Sequence, residues 1–177
     1  MSIFTKIKKE FSINWGTVLV GWNNLSHQSP QITFNEIKEF AFERLESSDC
    51  TQSEEDTIIQ LLSKNQNEFD KEEICDLLVT LSHFSNAKIT IEERKWRVTH
   101  LGEMLMNIPT NPIYALIALT DFWASYDYPS DSPHVIQGKD NELSPTVYYT
   151  DVFFQNMLSV HNEWIKKEKQ SIRDRAS

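Results

Sequence analysis

The sequence predicts an all-α protein, and three observations support this prediction. Polar residues that favour helix N-termini recur along the chain, and apolar residues at helical spacing follow each of them. The 177 residues include only four glycines, which disfavours a β-rich fold with frequent tight turns. A chain of this length can build one sizeable core. We therefore predict a single-domain helical bundle of about six to seven helices spanning residues 1–177.

Four helices of the bundle begin with a capping signal. In a capping box, a Thr side chain and a Glu three residues later each accept a hydrogen bond from a backbone N–H at the helix start, and Asp is a favourable N-cap in the same place. The predicted pairs are Thr33 with Glu36, Thr51 with Glu54, Asp70 with Glu73 and Thr90 with Glu93. The apolar stretch Ile13–Leu25 fits a helix or a strand by its periodicity, and we assign it to a helix.

Two prolines mark later helix starts, because proline is favourable in the first helical turn. Asn111-Pro112 precedes Ile113–Trp123, which is apolar nearly all round and predicts a buried central helix. We expect Trp123 to be more buried than Trp96. Ser144-Pro145 begins a last long helix that frays into a solvated tail at residues 166–177. Its predicted inward residues are Tyr149, Val152, Phe153, Val160 and Trp164.

One long loop is predicted between these two helices. Residues Tyr126 to Ser144 show no periodicity and include two prolines and a glycine. Loops longer than about 12–15 residues tend to be functional or disordered. The aromatic residues at the start of this loop predict that it is ordered.

Negative charge is concentrated in one part of the chain. Residues Glu43 to Asp76 contain eleven acidic and three basic residues, so they carry net −8 of the total −9. Charge of one sign gathered on one face attracts partners of opposite sign and repels nucleic acid. The same run is also explained by solvated helix faces that have no partner. Where it does meet a partner, we predict a basic protein and no nucleic acid.

No motif predicts catalysis, a metal ion or a cofactor. Gly-rich phosphate loops and a GxSxG nucleophile turn are absent. His100, Glu103 and Glu93 could share a helix face, but a di-metal bundle needs a Glu-x-x-His pair on each of two helices, so we expect a solvated or hydrogen-bonded histidine at position 100 and no metal ion. Cys50 and Cys75 are expected to be reduced thiols.

Basic residues and hydropathy add two further expectations. Arg94, Lys95 and Arg97 flank Trp96, and we expect Trp96 to pack while these charges stay in water. Nowhere do eighteen apolar residues occur together, so we expect no membrane partner and a cytoplasmic protein.

Two blocks of sequence resemble a known family. The first is Ile13-Asn14-Trp15-Gly16 with the helix Ile32–Leu45, and the second runs from Arg94-Lys95-Trp96 through Asn111-Pro112 to the stretch Asp121–Pro129. They are similar to a family of bacterial helical proteins of unknown biochemical activity, with members among the immunity proteins of polymorphic toxin systems. The resemblance spans most of Ile13 to Asp140 and implies no catalytic residues. This chain departs from it in the longer link Ser130–Leu143.

The resemblance and the charge together predict a non-catalytic binding protein. We expect an immunity protein that neutralises a cognate toxin, a basic protein domain, by stoichiometric binding. The alternatives are a small helical hydrolase that uses clustered surface carboxylates, and a cytoplasmic adaptor protein. Predicted contact residues lie on the acidic helices and in the long loop: Glu54, Glu55, Asp56, Glu72, Glu73, Asp127, Tyr128 and Asp131.

Overall fold

The computed structural model describes residues 1–23, 31–64 and 71–176, and these contain nine α-helices and no strand. The helices are α1 Ile3–Glu10, α2 Trp15–Asn23, α3 Phe34–Leu45, α4 Gln52–Leu62, α5 Lys71–Phe84, α6 Ile89–Met106, α7 Pro112–Ala124, α8 Pro145–Tyr148 and α9 Asp151–Ala176. The all-α prediction is confirmed. The predicted number of helices is too low, because α1 was missed and the last predicted helix is divided into α8 and α9.

The described residues form two compact units, Met1–Trp96 and Arg97–Ser177. The boundary between them falls within α6. The single domain predicted from chain length stays a prediction.

The first unit is built from helices that pack in succession. The α3 helix packs on α4, α4 on α5, and α5 on α2. Fully buried apolar side chains fill this unit, and these include Ile7, Trp15, Val18, Ile37, Ile58, Leu61, Ile74 and Leu78. The assignment of the stretch after Ile13 to a helix is confirmed by α2, and its last two residues lie outside the described part of the chain.

The predicted helix starts are partly confirmed. Thr33 forms the complete capping box at α3, and Asn111 caps α7 by accepting a hydrogen bond from the Ile113 N–H. Thr51 caps α4, but the Glu54 carboxylate is bound elsewhere and does not complete the box. The α6 helix begins at Ile89, before the predicted cap Thr90. The predicted cap Asp70 lies outside the described residues.

In the second unit, α9 packs on α7 and on α8. On one side, α7 buries Ala115, Leu116, Leu119 and Trp123. Its other side is exposed, so the prediction of a helix buried all round is wrong. The cause is that α7 packs through the Trp123 side, where the indole lies against Trp164 and His161 of α9.

The end of the chain also differs from the prediction. The chain leaves the helical path at Tyr149, where φ is −86° and ψ is 33°. Because α9 starts afresh at Asp151, Val152 points outward and is 81% exposed, whereas Tyr148 is buried. Residues 166–176 are helical and do not fray, since α9 buries Ile165, Glu168 and Ile172. Among the described residues, none of the helices is both long enough and apolar enough to cross a membrane.

Candidate functional site

The Asn14-Trp15-Gly16 motif has a structural role in the first unit. Asn14 Oδ1 accepts the Thr17 N–H at 3.1 Å and so caps the start of α2. The Trp15 indole donates to Glu54 Oε1 at 2.8 Å. A β-carbon at Gly16 would overlap Cβ of Ala87 and crowd Glu92. The motif therefore fixes where α2 meets α4 and the start of α6.

The Lys95-Trp96 pair is also structural. Lys95 is 2% exposed and forms a buried ion pair with Glu92 at 2.8 Å. Its Nζ also donates to the Ser12 carbonyl at 2.9 Å, and the Trp96 indole donates to the Thr17 carbonyl at 2.8 Å. The expectation that the charge of Lys95 stays in water is wrong, because a carboxylate and a carbonyl replace that water. Trp123 and Trp96 are buried alike, at 0% and 2% exposed.

Glu54 is not a surface contact residue, which corrects the sequence analysis. Its side chain is 5% exposed and accepts hydrogen bonds from both Trp15 and Arg44, the latter through Nε at 3.1 Å and Nη2 at 3.2 Å. A buried carboxylate needs such partners, because leaving an ionised group without them carries a large desolvation penalty. Glu54 therefore holds α4 to α2 and α3.

The remaining predicted acids of the first unit lie on α4 and α5, which pack together. Asp56, Glu72 and Glu73 are exposed and Glu55 is half-buried. Part of the surrounding negative charge is neutralised locally, since Lys64 pairs with Glu73 and Lys8 pairs with Glu43. The exposed acidic surface is therefore weaker than the sequence count implies, although it persists on both helices.

The other predicted residues lie in the second unit, in the 126–144 loop that joins α7 to α8. The prediction of one long loop here is confirmed. Side chains from outside the loop hold its backbone: the Trp164 indole donates to the Asp131 carbonyl at 2.7 Å, and the Tyr148 hydroxyl donates to the Val135 carbonyl at 2.8 Å. Asn141 holds the loop from within, donating to the Ile136 and Lys139 carbonyls.

Asp131 is committed to the structure of this loop. Its carboxylate accepts a hydrogen bond from Arg97 at 2.8 Å, and the Arg97 guanidinium also lies over the Trp164 ring. Glu168 is the second carboxylate near Arg97, at 3.7 Å. Asp131 thus fastens the loop to α6. A partner that bound the Asp131 carboxylate would have to displace Arg97 from it.

Asp127 and Tyr128 begin the loop in an unusual backbone conformation. Their φ angles are 55° and 47°, in the left-handed region that is uncommon for residues other than glycine, above all for an aromatic one. Their N–H groups bond the carbonyls of Ala124 and Trp123 at 3.0 and 2.9 Å. Such strain persists only where the surroundings enforce it and is frequent at functional sites.

A cavity of about 410 Å³ opens beside Tyr128. It is lined by the loop itself, from Tyr128 and Pro129 through His134 to Asn141. The Lys139 ammonium lies 4.9 Å from the centre of the Tyr128 ring. The volume lies within the range of small-ligand pockets, roughly 300–1,000 Å³. The cavity and the strained turn make this loop the most distinctive feature of the second unit.

Three histidines of the second unit are held in the neutral form. Burial lowers the pKa of His100 and of His134 from 6.5 to about 4, with His161 as a further cause at His134. Burial also lowers the pKa of His161, which the hydrogen bond to the Met157 carbonyl opposes. His161 Nε2 accepts the Trp123 indole N–H at 3.0 Å, so Nδ1 carries the proton given to Met157. His100 contacts the Tyr126 hydroxyl at 2.8 Å.

The exposed side of α7 is a feature that the sequence analysis missed. Ile113, Tyr114 and Ile117 are 46%, 66% and 43% exposed. Asp121 and Ala124 continue the same exposed side toward Asp127. The sequence does not show which side of α7 is exposed, because a helix that is apolar nearly all round has no polar stripe to mark its outer side.

The described residues contain no group of three or more His, Cys, Asp or Glu side chains that could hold a metal ion. These observations define an all-α protein that has an acidic surface on α4 and α5 and an exposed apolar side on α7. The chain belongs to a bacterial family: residues 4–169 match the family model described as "Uncharacterized protein conserved in bacteria (DUF2247)". No curated protein and no solved structure matches the chain. The bacterial family of unknown activity that the sequence resembles is thereby confirmed.

Proposed function

We propose that this protein is a cytoplasmic, non-catalytic immunity protein that neutralises a cognate bacterial toxin by stoichiometric binding. The observation that carries the proposal is the set of exposed carboxylates on the neighbouring helices α4 and α5, headed by Asp56, Glu72 and Glu73. The resemblance of the chain to a family with members among immunity proteins supports it as well.

An acidic surface of this kind suits a basic partner. Many toxin domains that act on nucleic acid carry a cationic cleft, and facing carboxylates raise the rate of encounter with such a cleft. Exposed carboxylates contribute little to folding stability. The core therefore does not require these carboxylates, and they remain available to a basic partner.

The experiment measures binding to the product of the gene directly upstream, over a range of salt concentrations. Asp56→Lys with Glu72→Lys should slow association about tenfold at low salt and flatten its salt dependence. The melting temperature should fall only slightly, because Glu72 lies in the first turn of α5, where a carboxylate favours the helix. The matched control is Glu163→Lys, an exposed acid on α9. The proposal fails if the parent protein neither binds that product nor protects cells that express it. Binding with unchanged kinetics in the double variant would remove the α4–α5 surface from the contact.

A further inference from the structure

We infer that the exposed side of α7 is a docking surface for a segment of the partner protein that combines apolar side chains with a lysine or arginine. This inference rests on the proposed function and adds a second contact surface, together with the chemistry of the partner segment that fits it. The surface, called here the α7 face, consists of Ile113, Tyr114, Ile117, Asp121 and Ala124, and is continued by Asp127.

The positions of these residues make them one continuous surface. Residues 114, 117, 121 and 124 follow at intervals of three or four, so they lie along one side of the helix. The opposite side holds the buried residues Ala115, Leu116, Leu119 and Trp123. Single exposed apolar residues are ordinary, but large apolar residues grouped on one surface indicate an interaction site.

The charges next to the apolar part define the partner. Asp121 lies in the last turn of α7, at the negative end of the helix dipole, where a carboxylate is unfavourable. Neither Asp121 nor Asp127 forms an ion pair with any residue that the structure describes. The sequence from Val98 to Gly138 contains no lysine or arginine, and the next cation along the chain, Lys139, lies over the Tyr128 ring. A cation from the partner would relieve this unfavourable charge, whereas a second copy of the chain would bring two more carboxylates.

The end of the α7 face is held in place before any partner arrives. The Asp127 N–H bonds the Ala124 carbonyl at 3.0 Å, and the Tyr128 N–H bonds the Trp123 carbonyl at 2.9 Å. The exposed residue Asp127 therefore belongs to a turn whose backbone is fixed. Binding to a preformed surface avoids part of the entropy loss of ordering a loop.

The first test uses two synthetic helical peptides with the same leucine positions, one ending in lysines and the other in glutamates. Full-length protein labelled at its isoleucine methyl groups is titrated with each. We expect the lysine peptide to shift Ile113 and Ile117, and Ile117→Lys to weaken binding at least tenfold. Asp121→Asn should weaken it several-fold. Val152→Lys is the matched control, since Val152 is an exposed apolar residue of α9 outside the α7 face.

Other outcomes overturn the inference. These are shifts confined to other isoleucines, equal binding of both peptides, no binding of the lysine peptide, or unchanged binding in the variants. Concentration-dependent dimerisation that Ile117→Lys abolishes would assign the α7 face to a second copy. Ile117→Ser is the second variant if Ile117→Lys does not fold.

Binding to the upstream gene product separates the two proposals. Tight binding that Ile117→Lys leaves unchanged would overturn the α7 inference and leave the proposed function intact. Binding of the lysine peptide to the α7 face, without any binding of the gene product by the parent protein, would overturn the proposed function alone.

Discussion

At the scale of single residues, neighbours in the sequence have opposite roles. Glu54 and Glu55 are consecutive acids in the same charge run, yet Glu54 is buried against Trp15 and Arg44. Glu55 is half-buried and forms no comparable hydrogen bonds with the part of the chain that the structure describes. A buried hydrogen-bonded carboxylate contributes to folding, whereas a solvated one contributes little. Burial therefore decides which acidic residues stay exposed and can contact a partner.

The first prediction compares these two residues. Glu54→Ala should lower the free energy of unfolding by about 3 kcal/mol, because it leaves the Trp15 indole N–H without its acceptor and Arg44 without its main ion partner. Glu55→Ala should change it by no more than about 0.5 kcal/mol. Urea denaturation followed by circular dichroism measures both. Equal losses would contradict the structural role of Glu54.

The second prediction concerns the left-handed turn after α7. Asp127→Gly should raise the free energy of unfolding by about 0.5–1 kcal/mol, because glycine relieves the strain of a positive φ but is more flexible in the unfolded chain. The same variant should weaken partner binding, since it removes a carboxylate of the α7 face. Asn86→Gly is the control, because Asn86 is the described left-handed non-glycine residue outside the loop. It should gain a similar amount, since asparagine and aspartate both tolerate this conformation, but it should leave partner binding unchanged. A loss of stability in Asp127→Gly would show that its carboxylate is needed for folding.

At the scale of elements, close backbone approach determines how α2 sits in the first unit. Gly16 faces Ala87, and Gly21 faces the ring of Trp96. A glycine on a helix normally costs about 1 kcal/mol relative to alanine. Here that cost is offset by the packing that the missing side chains permit, which explains why two of the four glycines lie on one short helix.

The third prediction uses a pair of helical glycines. Gly16→Ala should destabilise the protein by about 1–3 kcal/mol, because the added methyl overlaps Ala87 and forces α2 away from it. Gly102→Ala on α6 should stabilise it by about 0.5–1 kcal/mol, since nothing lies within 4 Å of a β-carbon there. Thermal melting of the two variants beside the parent checks both signs. A stabilised Gly16→Ala protein would contradict the close approach of α2 to Ala87.

At the scale of the whole molecule, the buried histidines that make folding stability depend on pH lie in one of the two units. The three histidines with lowered pKa all belong to the unit Arg97–Ser177. The pKa in the folded state is about 4 for His100 and His134 and is also lowered for His161, so below pH 6.5 the unfolded chain binds protons that the folded chain does not. Stability therefore falls as the pH falls below 6.5, and the contribution of His100 and His134 to this fall ends near pH 4.

The fourth prediction states how much folding stability is lost in acid. A histidine whose pKa drops from 6.5 to about 4 on folding should account for about 3 kcal/mol of lost stability between pH 7 and pH 4. His134→Gln should flatten the pH dependence of the urea midpoint, whereas His83→Gln, at an exposed position on α5, should leave it unchanged. Identical pH profiles for parent and His134→Gln would contradict the burial of His134 in its neutral form.

The sequence by itself determined the features that depend on neighbours along the chain. The all-α class, the caps at Thr33 and Asn111, the helix after Ile13 and the long loop after α7 follow from spacing and from the hydrogen-bonding chemistry of single side chains. The tertiary structure alone decided which charges are buried. In the folded structure Glu54 and Lys95 are buried, Asp131 is paired with Arg97, and one side of α7 is exposed to water. The physical reason is that burial depends on which helices meet, and a periodic pattern shows which residues share a face of a helix but does not show which face meets a neighbour.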